Sequence, residues 1–310
     1  MFRKRIIKPV FIIGMPRSGT TAISEAISLH EEFGWISNYV AKFPQWPWLS
    51  FFNRICFIPR LGLYIRGKKP QNKSSFLRKY FPYPAETYLI WEKYLGKKFR
   101  NDYLIGKSAT KEEKEKLIKY LLKLLKWQGK KRLFVKFTGP PRIHFLISIF
   151  PDAFFIHIIR DPRAVVSSLL RVDFWKRKGG LERPWWNNGL TQEDIDEWHS
   201  YRKSPIALAA IQWKRIVETT WMEKDLIPEK RFIEIRYEDF VADPHYYLTQ
   251  VFKKLQLDDS KVAHKYISSL GKLKNMNYKF KQYLTNDDIK IIETITKKTA
   301  KRAGYVFEIS

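Results

Sequence analysis

The stretch GMPRSGTT, residues 14–21, has the residue types and spacing of a loop that binds phosphate-like anions. Gly14 and Gly19 lie five positions apart, between an apolar run and a helical pattern, so backbone N–H groups and the positive end of a helix dipole meet there. Nucleoside-triphosphate loops place a lysine directly after the second glycine, whereas this loop has Thr20 there and its cation is Arg17. A guanidinium at the crown of the loop can stabilise a bridging oxygen that gains negative charge as a bond breaks. The alternative is a glycine turn whose Arg17 points into solvent.

A second anion site is indicated by IHIIRDPRAVVSS, residues 156–168. Arg160 directly follows an apolar run, and Ser168 lies eight positions later, about two turns into the next helical pattern. A cation at a strand end and a hydroxyl on the adjoining helix can hold a separate phosphate. The alternative is a simple strand-to-helix turn capped by Asp161. Two such sites at the carboxyl ends of strands in one sheet predict a ligand with phosphates at both ends of a nucleoside.

These sites must be positioned by strands that alternate with helices. Continuous apolar runs predict strands at residues 8–14, 132–138, 153–161 and 231–237. Helical patterns cover residues 19–30, 111–127, 142–150, 162–170 and 205–225. We therefore predict a three-layer α/β fold with a central parallel sheet flanked by helices. Residues 1–310 are expected to form a single domain, with cleft-forming insertions at about 40–105 and 172–203.

The charge balance favours an anionic partner. The chain has 310 residues, 58 Lys and Arg against 31 Asp and Glu, and a net charge of +27. A lysine-rich bias with solvated basic faces explains much of that charge equally well. Cys56 is the only cysteine, so no intramolecular disulfide is expected. No apolar stretch reaches the length of a membrane span, and we expect a cytoplasmic protein, with peripheral contact at the cytoplasmic face of a membrane as an open alternative.

PRSGTT together with IIRDPRAVVSSLL resembles the PAPS-dependent sulfotransferases, whose donor is 3′-phosphoadenosine 5′-phosphosulfate (PAPS) and whose product is PAP. RYEDFVADP (236–244), NYKFKQYLTNDDI (277–289) and AGY (303–305) are similar to the tyrosylprotein and bacterial or carbohydrate branch. The resemblance covers most of the chain in order and implies a P-loop-type fold. The two phosphate motifs are its most specific parts.

The resemblance also implies roles for particular residues. Arg17 matches the catalytic cation, and Ser18, Gly19, Thr20 and Thr21 match the other residues of the loop that binds the 5′-phosphosulfate. Arg160 and Ser168 match the pair that binds the 3′-phosphate. Weaker donor contacts fall on Tyr237 and Lys279, with a packed aromatic at a strand end as the alternative for Tyr237. Lys136 resembles a lysine that assists transfer in the tyrosylprotein branch, with a strand-end surface lysine as the alternative.

Sulfuryl transfer to an acceptor hydroxyl or amine needs a metal clamp less than phosphoryl transfer does, because the group carries less charge than a terminal phosphoryl group. No metal ligands are expected. The base that takes the acceptor proton is not identified by the sequence. At the offset where the tyrosylprotein branch has a glutamate, this chain has Asn38. Lys136, Glu31, Glu32 and His144 remain candidates, and an amine acceptor could need no base at all.

Two aromatic segments bear on the acceptor. Residues 173–189 contain paired tryptophans with basic neighbours, a platform for a sugar ring or an apolar tail. Residues 43–69 mix aromatics with Arg and Lys, as an interfacial membrane surface does. Both segments could instead simply cover the sheet. The expected acceptor is a carbohydrate, glycolipid or other hydroxyl- or amine-bearing molecule; the alternatives are a P-loop nucleotide kinase or NTPase, or a non-enzymatic polyanion binder, and no specific nucleic-acid partner is expected.

Overall fold

A five-stranded parallel sheet forms the centre of the protein, in a computed structural model that describes residues 5–58 and 81–307. The strands are β1 (Val10–Ile13), β2 (Phe33–Gly34), β3 (Arg132–Lys136), β4 (Phe154–Ile159) and β5 (Phe232–Arg236). Their order is β2-β3-β1-β4-β5, so β1 lies between β3 and β4, and all pairs are parallel. The predicted α/β class is confirmed.

Both faces of the sheet are covered. Phe11 and Ile13 pack into one apolar core, while Val10 and Ile12 pack into another on the opposite face. Because alternate side chains of a strand point to opposite faces, this division explains why β1 is apolar at every position.

Fourteen α-helices lie within the described residues. They are α1 (Thr20–Ile27), α2 (Asn38–Lys42), α3 (Tyr88–Leu95), α4 (Lys98–Asn101), α5 (Lys111–Gln128), α6 (Ile143–Ile149), α7 (Pro162–Leu169), α8 (Asp173–Arg177), α9 (Gln192–Ser200), α10 (Pro205–Lys224), α11 (Tyr237–Ala242), α12 (Pro244–Lys254), α13 (Lys261–Ser269) and α14 (Asn286–Arg302). Three 3₁₀ helices cover Pro47–Phe57, Glu229–Arg231 and Asn277–Gln282.

Local signals set the helix boundaries that matter for the site. Asp161 accepts a hydrogen bond from the backbone N–H of Arg163 and caps α7, whose first residue is Pro162. A capping box between Thr110 and Glu113 begins α5, and Gly129 ends it in a left-handed conformation. The short strand β2 was not predicted, because two residues give no periodic pattern.

The two expected insertions contribute structure beside the sheet. The first, at about 40–105, contains the 3₁₀ helix Pro47–Phe57 and helices α3 and α4; its residues 59–80 lie outside the described part of the chain. The second, at 172–203, contains α8 and α9. Within residues 5–58 and 81–307, none of the helices has both the length and the apolarity that a membrane crossing requires.

Candidate active site

The loop between β1 and α1 is held close to the sheet by its glycines. A Cβ on Gly14 would lie 2.4 Å from the carbonyl oxygen of Ile158 in β4. Gly19 precedes α1 with φ near +80°, and a Cβ there would lie 2.3 Å from the ring of Tyr237. Only glycine allows this close approach and this backbone conformation. The N–H groups at the start of α1 therefore lie at the carboxyl edge of the sheet, where they can donate to an anion.

Arg17 connects the two predicted phosphate motifs. Its Nε–H donates to the Oγ of Ser168 at 2.9 Å, and its backbone carbonyl accepts from the Nη1 of Arg160 at 2.9 Å. Partial burial, and then the positive charges of Arg160 and Arg171, lower the pKa of Arg17. The clustering of three guanidinium groups favours a bound anion that offsets their mutual repulsion.

Arg160 is oriented from two sides. Its guanidinium lies 4.2 Å from the centre of the Tyr237 ring, and its Nε–H donates to the Oδ1 of Asn277 at 2.9 Å. The Nδ2 of Asn277 donates in turn to Glu238 at 2.5 Å. Asn277 belongs to the 3₁₀ helix Asn277–Gln282, so the carboxyl-terminal part of the chain contributes to the site.

Ser18 provides a test of whether this loop fits an anion. The side chain is buried, and its Oγ has no hydrogen-bond partner among the described residues. A buried hydroxyl without a partner is costly, and an acceptor oxygen of a bound anion would satisfy it. Arg17, Ser18 and the N–H groups of α1 therefore suit a phosphosulfate or phosphate group.

A cavity of about 550 Å³ opens beside the loop. Its wall includes Arg17, Thr20 and Thr21 from the loop, and it also includes Glu86, Tyr88, Leu89, Arg100, Thr138, Phe174, Lys178, Trp185 and Trp186. Burial raises the pKa of Tyr88 to about 12, and its hydroxyl donates to the backbone carbonyl of Thr138 at 2.5 Å. Tyr88 therefore lines the cavity as a neutral phenol, hydrogen-bonded to the backbone, at physiological pH.

Glu86 and Lys136 form the charged pair of this cavity. The Nζ of Lys136 lies 2.7 Å from the Oε1 of Glu86 and donates to the Oγ1 of Thr21 at 3.0 Å. The other carboxylate oxygen of Glu86 accepts from Thr138 at 3.0 Å. A carboxylate beside the anion loop can accept a proton from a bound hydroxyl.

Two stacked tryptophans form the apolar side of the cavity. The rings of Trp185 and Trp186 are 4.7 Å apart and nearly parallel, at 10°. Trp186 packs against the backbone of Gly139, where a Cβ would lie 2.5 Å from the indole, and the N–H of Gly139 donates to the carbonyl of Gly14. The apolar wall is thus fixed directly beside the anion loop.

Comparison with known proteins agrees with this geometry. A family model described as "Sulfotransferase family" matches residues 9–261. This chain belongs to the sulfotransferase family. The match spans both anion motifs, the Glu86–Lys136 pair and the tryptophan pair, and it confirms the resemblance noted in the sequence.

Individual sulfotransferases are distant relatives. The omega-hydroxy-beta-dihydromenaquinone-9 sulfotransferase Stf3 of Mycobacterium bovis and that of Mycobacterium tuberculosis are each 24% identical to this chain over 268 residues. The alignment covers 81% of this chain and 63% of each relative, so the chain matches less than two thirds of their length.

Two solved sulfotransferases share the fold. Sulfotransferase STF9 of Mycobacterium avium superimposes with a TM-score of 0.57 at 17% identity, covering 98% of this chain and 78% of its own. Sulfotransferase STF1 of Mycobacterium tuberculosis gives a TM-score of 0.52 at 15% identity, covering 96% of this chain and 77% of its own.

The structure brings together most of the residues that the sequence singled out. Arg17, Thr20 and Thr21 line the cavity and Lys136 contacts its wall. Arg160 and Ser168 contact Arg17, and Tyr237 contacts Arg160, but these three are not part of that wall. Lys279 lies in the 3₁₀ helix Asn277–Gln282, two positions after the residue that contacts Arg160. The loop, the second motif and the carboxyl-terminal motif thus surround one region.

The other candidates for the base lie elsewhere. Glu31 and Glu32 follow the far end of α1, and the carboxylate of Glu31 accepts from Ser260. The ring of His144 contacts the backbone carbonyl of Lys107. The side-chain amide of Asn38 bonds the backbone of Phe81 and Tyr83, which ties the segment that precedes Glu86 to α2.

Sequence reasoning missed Glu86, Asn277 and Glu238. Glu238 and Asn277 lie inside RYEDF and NYKF, but their role depends on contacts between distant segments. Glu86 had a usable signal: it is the first acidic residue after Glu32, and an isolated carboxylate in such a basic stretch is unusual.

Proposed function

We propose that this chain transfers a sulfuryl group from PAPS to a hydroxyl on an apolar, lipid-like acceptor. The observation that carries the proposal is the arrangement around one cavity: Arg17 of the anion loop, the Glu86–Lys136 pair and the Trp185–Trp186 stack all line or adjoin it. Donor, base and acceptor wall are then within reach of one reacting group. Membership in the sulfotransferase family supports this reading.

The donor would bind across the carboxyl edge of the sheet. The 5′-phosphosulfate suits the loop 17–21, where the N–H groups of α1 and the Oγ of Ser18 are available. The 3′-phosphate suits Arg160, which Tyr237 and Asn277 hold in place. Ser168 accepts from Arg17, whose carbonyl accepts from Arg160, so the Ser168 hydroxyl would be within reach of the 3′-phosphate beside Arg160.

The transfer step needs three groups of the chain. The acceptor oxygen attacks sulfur in line, the bond from sulfur to the bridging oxygen breaks, and PAP leaves with the electron pair. Arg17 stabilises the charge that grows on the leaving oxygen. Glu86 takes the acceptor proton, while Lys136, bound to Glu86 and Thr21, stabilises the sulfuryl oxygens and positions the carboxylate.

Leu89, Phe174 and the two tryptophans give the acceptor side of the cavity a mainly apolar wall. The curated relatives are named for a hydroxylated menaquinone derivative, a molecule with a long apolar body and a hydroxyl. A stacked tryptophan pair also suits a sugar ring, so a glycolipid shares part of this chemistry.

The test is transfer from sulfur-labelled PAPS by the purified protein to two acceptors: a long-chain polyprenyl alcohol in detergent and a water-soluble oligosaccharide. We expect labelled product from the polyprenyl alcohol and an increase in melting temperature with PAP that exceeds that with AMP or ATP·Mg²⁺. Stabilisation by ATP·Mg²⁺ alone would indicate a nucleotide kinase or NTPase. Transfer to the oligosaccharide alone would refute the lipid-like acceptor and leave the donor assignment intact.

A further inference from the structure

The 3₁₀ helix Pro47–Phe57 buries small side chains and exposes aromatic ones, the reverse of the usual arrangement of a surface helix. Its buried residues are the small polar side chains Ser50, Asn53 and Cys56, spaced by three as one face of a 3₁₀ helix requires. Trp48 and Phe51 on the outside are 45% and 46% exposed, and Trp46 just before the helix is 46% exposed. Large aromatic side chains grouped on a surface mark a contact with an apolar partner.

This orientation is fixed by hydrogen bonds. The hydroxyl of Ser50 donates to the backbone carbonyl of Leu124 in α5 at 3.0 Å. The amide of Asn53 donates to the carbonyl of Trp35 at 2.9 Å. Rotating the helix to bury its aromatics would break both bonds, so the aromatic side chains remain outside.

Six exposed aromatic residues in and beside this helix are called the aromatic face: Phe43, Trp46, Trp48, Phe51, Phe52 and Trp127. The ring of Phe52 has its centre 6.2 Å from that of Phe51 and 6.4 Å from that of Trp48. Arg54 lies 4.9 Å from the Phe51 ring and donates to the carbonyl of Trp127, which joins the end of α5 to the face.

Positive side chains lie against the rings of this part of the chain. Residues 33–85 contain nine Lys or Arg and no Asp or Glu. Lys42 lies 5.5 Å from the ring of Phe43, and Lys130 lies 3.6 Å from that of Phe57. Glu31 and Glu32, which precede this segment, lie near Lys130. A specific protein interface pairs charges of both signs, whereas a segment that combines cations with aromatics and has no carboxylate matches a surface of uniform negative charge.

We propose that the aromatic face docks this protein on a membrane that contains anionic lipids. The aromatic rings enter the headgroup region, and the Lys and Arg side chains contact the lipid phosphates.

The aromatic face is linked through the backbone to the cavity. The N–H of Asn38 donates to the carbonyl of Tyr83 at 3.1 Å, and that of Ala85 donates to Ile36 at 3.1 Å. These bonds join the segment that leads into the aromatic face to the segment that carries Glu86. Leu89 on the cavity wall is itself exposed. If the proposed function holds, docking brings the cavity close to a membrane-dissolved acceptor.

The test uses the full chain with phosphatidylcholine vesicles, with and without phosphatidylglycerol, in a flotation assay. The variant carries Trp46→Ser, Trp48→Ser and Phe51→Ser. The matched control carries Met222→Ser, Leu226→Ser and Tyr246→Ser, three exposed side chains elsewhere on the surface. Melting temperatures confirm that both variants fold, and neither donor nor acceptor is present, so the result is independent of the transfer assay.

We expect the wild type and the control to float with phosphatidylglycerol vesicles at low salt and to dissociate as salt rises. The affinity of the aromatic variant for these vesicles should be lower by about tenfold or more, because its apolar contact with the headgroup region is lost. Equal binding by all three proteins, no binding by the wild type, or equal binding to vesicles without phosphatidylglycerol would overturn the proposal. Self-association in sedimentation that only the aromatic variant loses would assign the face to a second copy of the chain instead.

Discussion

The Nε of Arg17 lies 2.9 Å from the Oγ of Ser168, to which it donates, and this hydrogen bond joins the loop after β1 to the helix after β4. The two strands are neighbours in register, with Ile12 opposite Ile156, so both loops emerge at the same edge of the sheet. The two anion motifs therefore form one continuous surface.

Replacing Arg17 with Ala should remove transfer while leaving most of the affinity for PAP. We expect kcat to fall by about 10²–10³-fold, because the charge on the leaving oxygen loses its main donor. The affinity for PAP loses one contact with Arg17. It also gains from the removal of the repulsion between Arg17 and the guanidinium groups of Arg160 and Arg171, which lowers the pKa of Arg17. Single-turnover transfer and calorimetric titration with PAP measure the two effects. Arg177→Ala, an exposed arginine on α8, is the control, and unchanged kcat in Arg17→Ala would refute the catalytic role.

Replacing Glu86 with Gln should lower kcat by about 10²–10⁴-fold, because the amide cannot take the acceptor proton. The loss should shrink for an acidic phenol acceptor, which needs less help from a base. A loss of equal size for alcohol and phenol would assign Glu86 a purely structural role in holding Lys136. Glu115→Gln, on the exposed side of α5, should have no effect on either acceptor.

Replacing Arg160 with Ala should remove the preference for PAP over AMP. A charge-assisted hydrogen bond contributes about 1.5–3 kcal/mol, so the affinity for PAP should fall by about one to two orders of magnitude. AMP lacks the 3′-phosphate and serves as the internal control. Equal losses for both nucleotides would place the 3′-phosphate elsewhere.

Glu223 predicts a pH dependence of stability. Burial raises the pKa of Glu223 from 4.5 to about 7, and its carboxylate accepts from the backbone N–H of Ile143 at 2.7 Å. Between pH 4.5 and about pH 7 the carboxyl of Glu223 is ionised in the unfolded chain but protonated in the folded chain. The free energy of unfolding therefore falls as pH rises through this range, and the loss is complete above pH 7.

Urea denaturation of the wild type and Glu223→Gln at pH 4 and pH 8 tests this expectation. From pH 4 to pH 8, the free energy of unfolding of the variant should rise by about 3 kcal/mol relative to that of the wild type, since each pKa unit corresponds to about 1.4 kcal/mol. A stability difference that is the same at both pH values would contradict the raised pKa.

The parts of the site that follow strands could be predicted from the sequence. Apolar runs predicted β1 and β4. Arg17, in the loop after β1, and Arg160, directly after β4, lie together because adjacent parallel strands end at one edge. The order of the strands was not predictable, since it depends on how the long connections cross the sheet.

The acidic residues of the site were harder to predict. Glu86 reaches the cavity only because residues 81–85 pair with residues 36–38, and such pairing between distant segments leaves no pattern in either one. The aromatic segment was predicted as a surface candidate, but the inverted burial of Ser50 and Asn53 became visible only in the structure. Part of that segment, residues 59–69, lies outside the described residues.

Asn277 separates the guanidinium of Arg160 from the carboxylate of Glu238, so that Arg160 stays free to bind an anion. Its amide accepts from Arg160 through one atom and donates to Glu238 through the other, so neither ionic group neutralises its neighbour. An aspartate at this position would compensate the guanidinium and face Glu238 with a like charge. Only a neutral side chain that both gives and receives a hydrogen bond fits here, and homologues that replace this asparagine should therefore choose glutamine, serine or threonine.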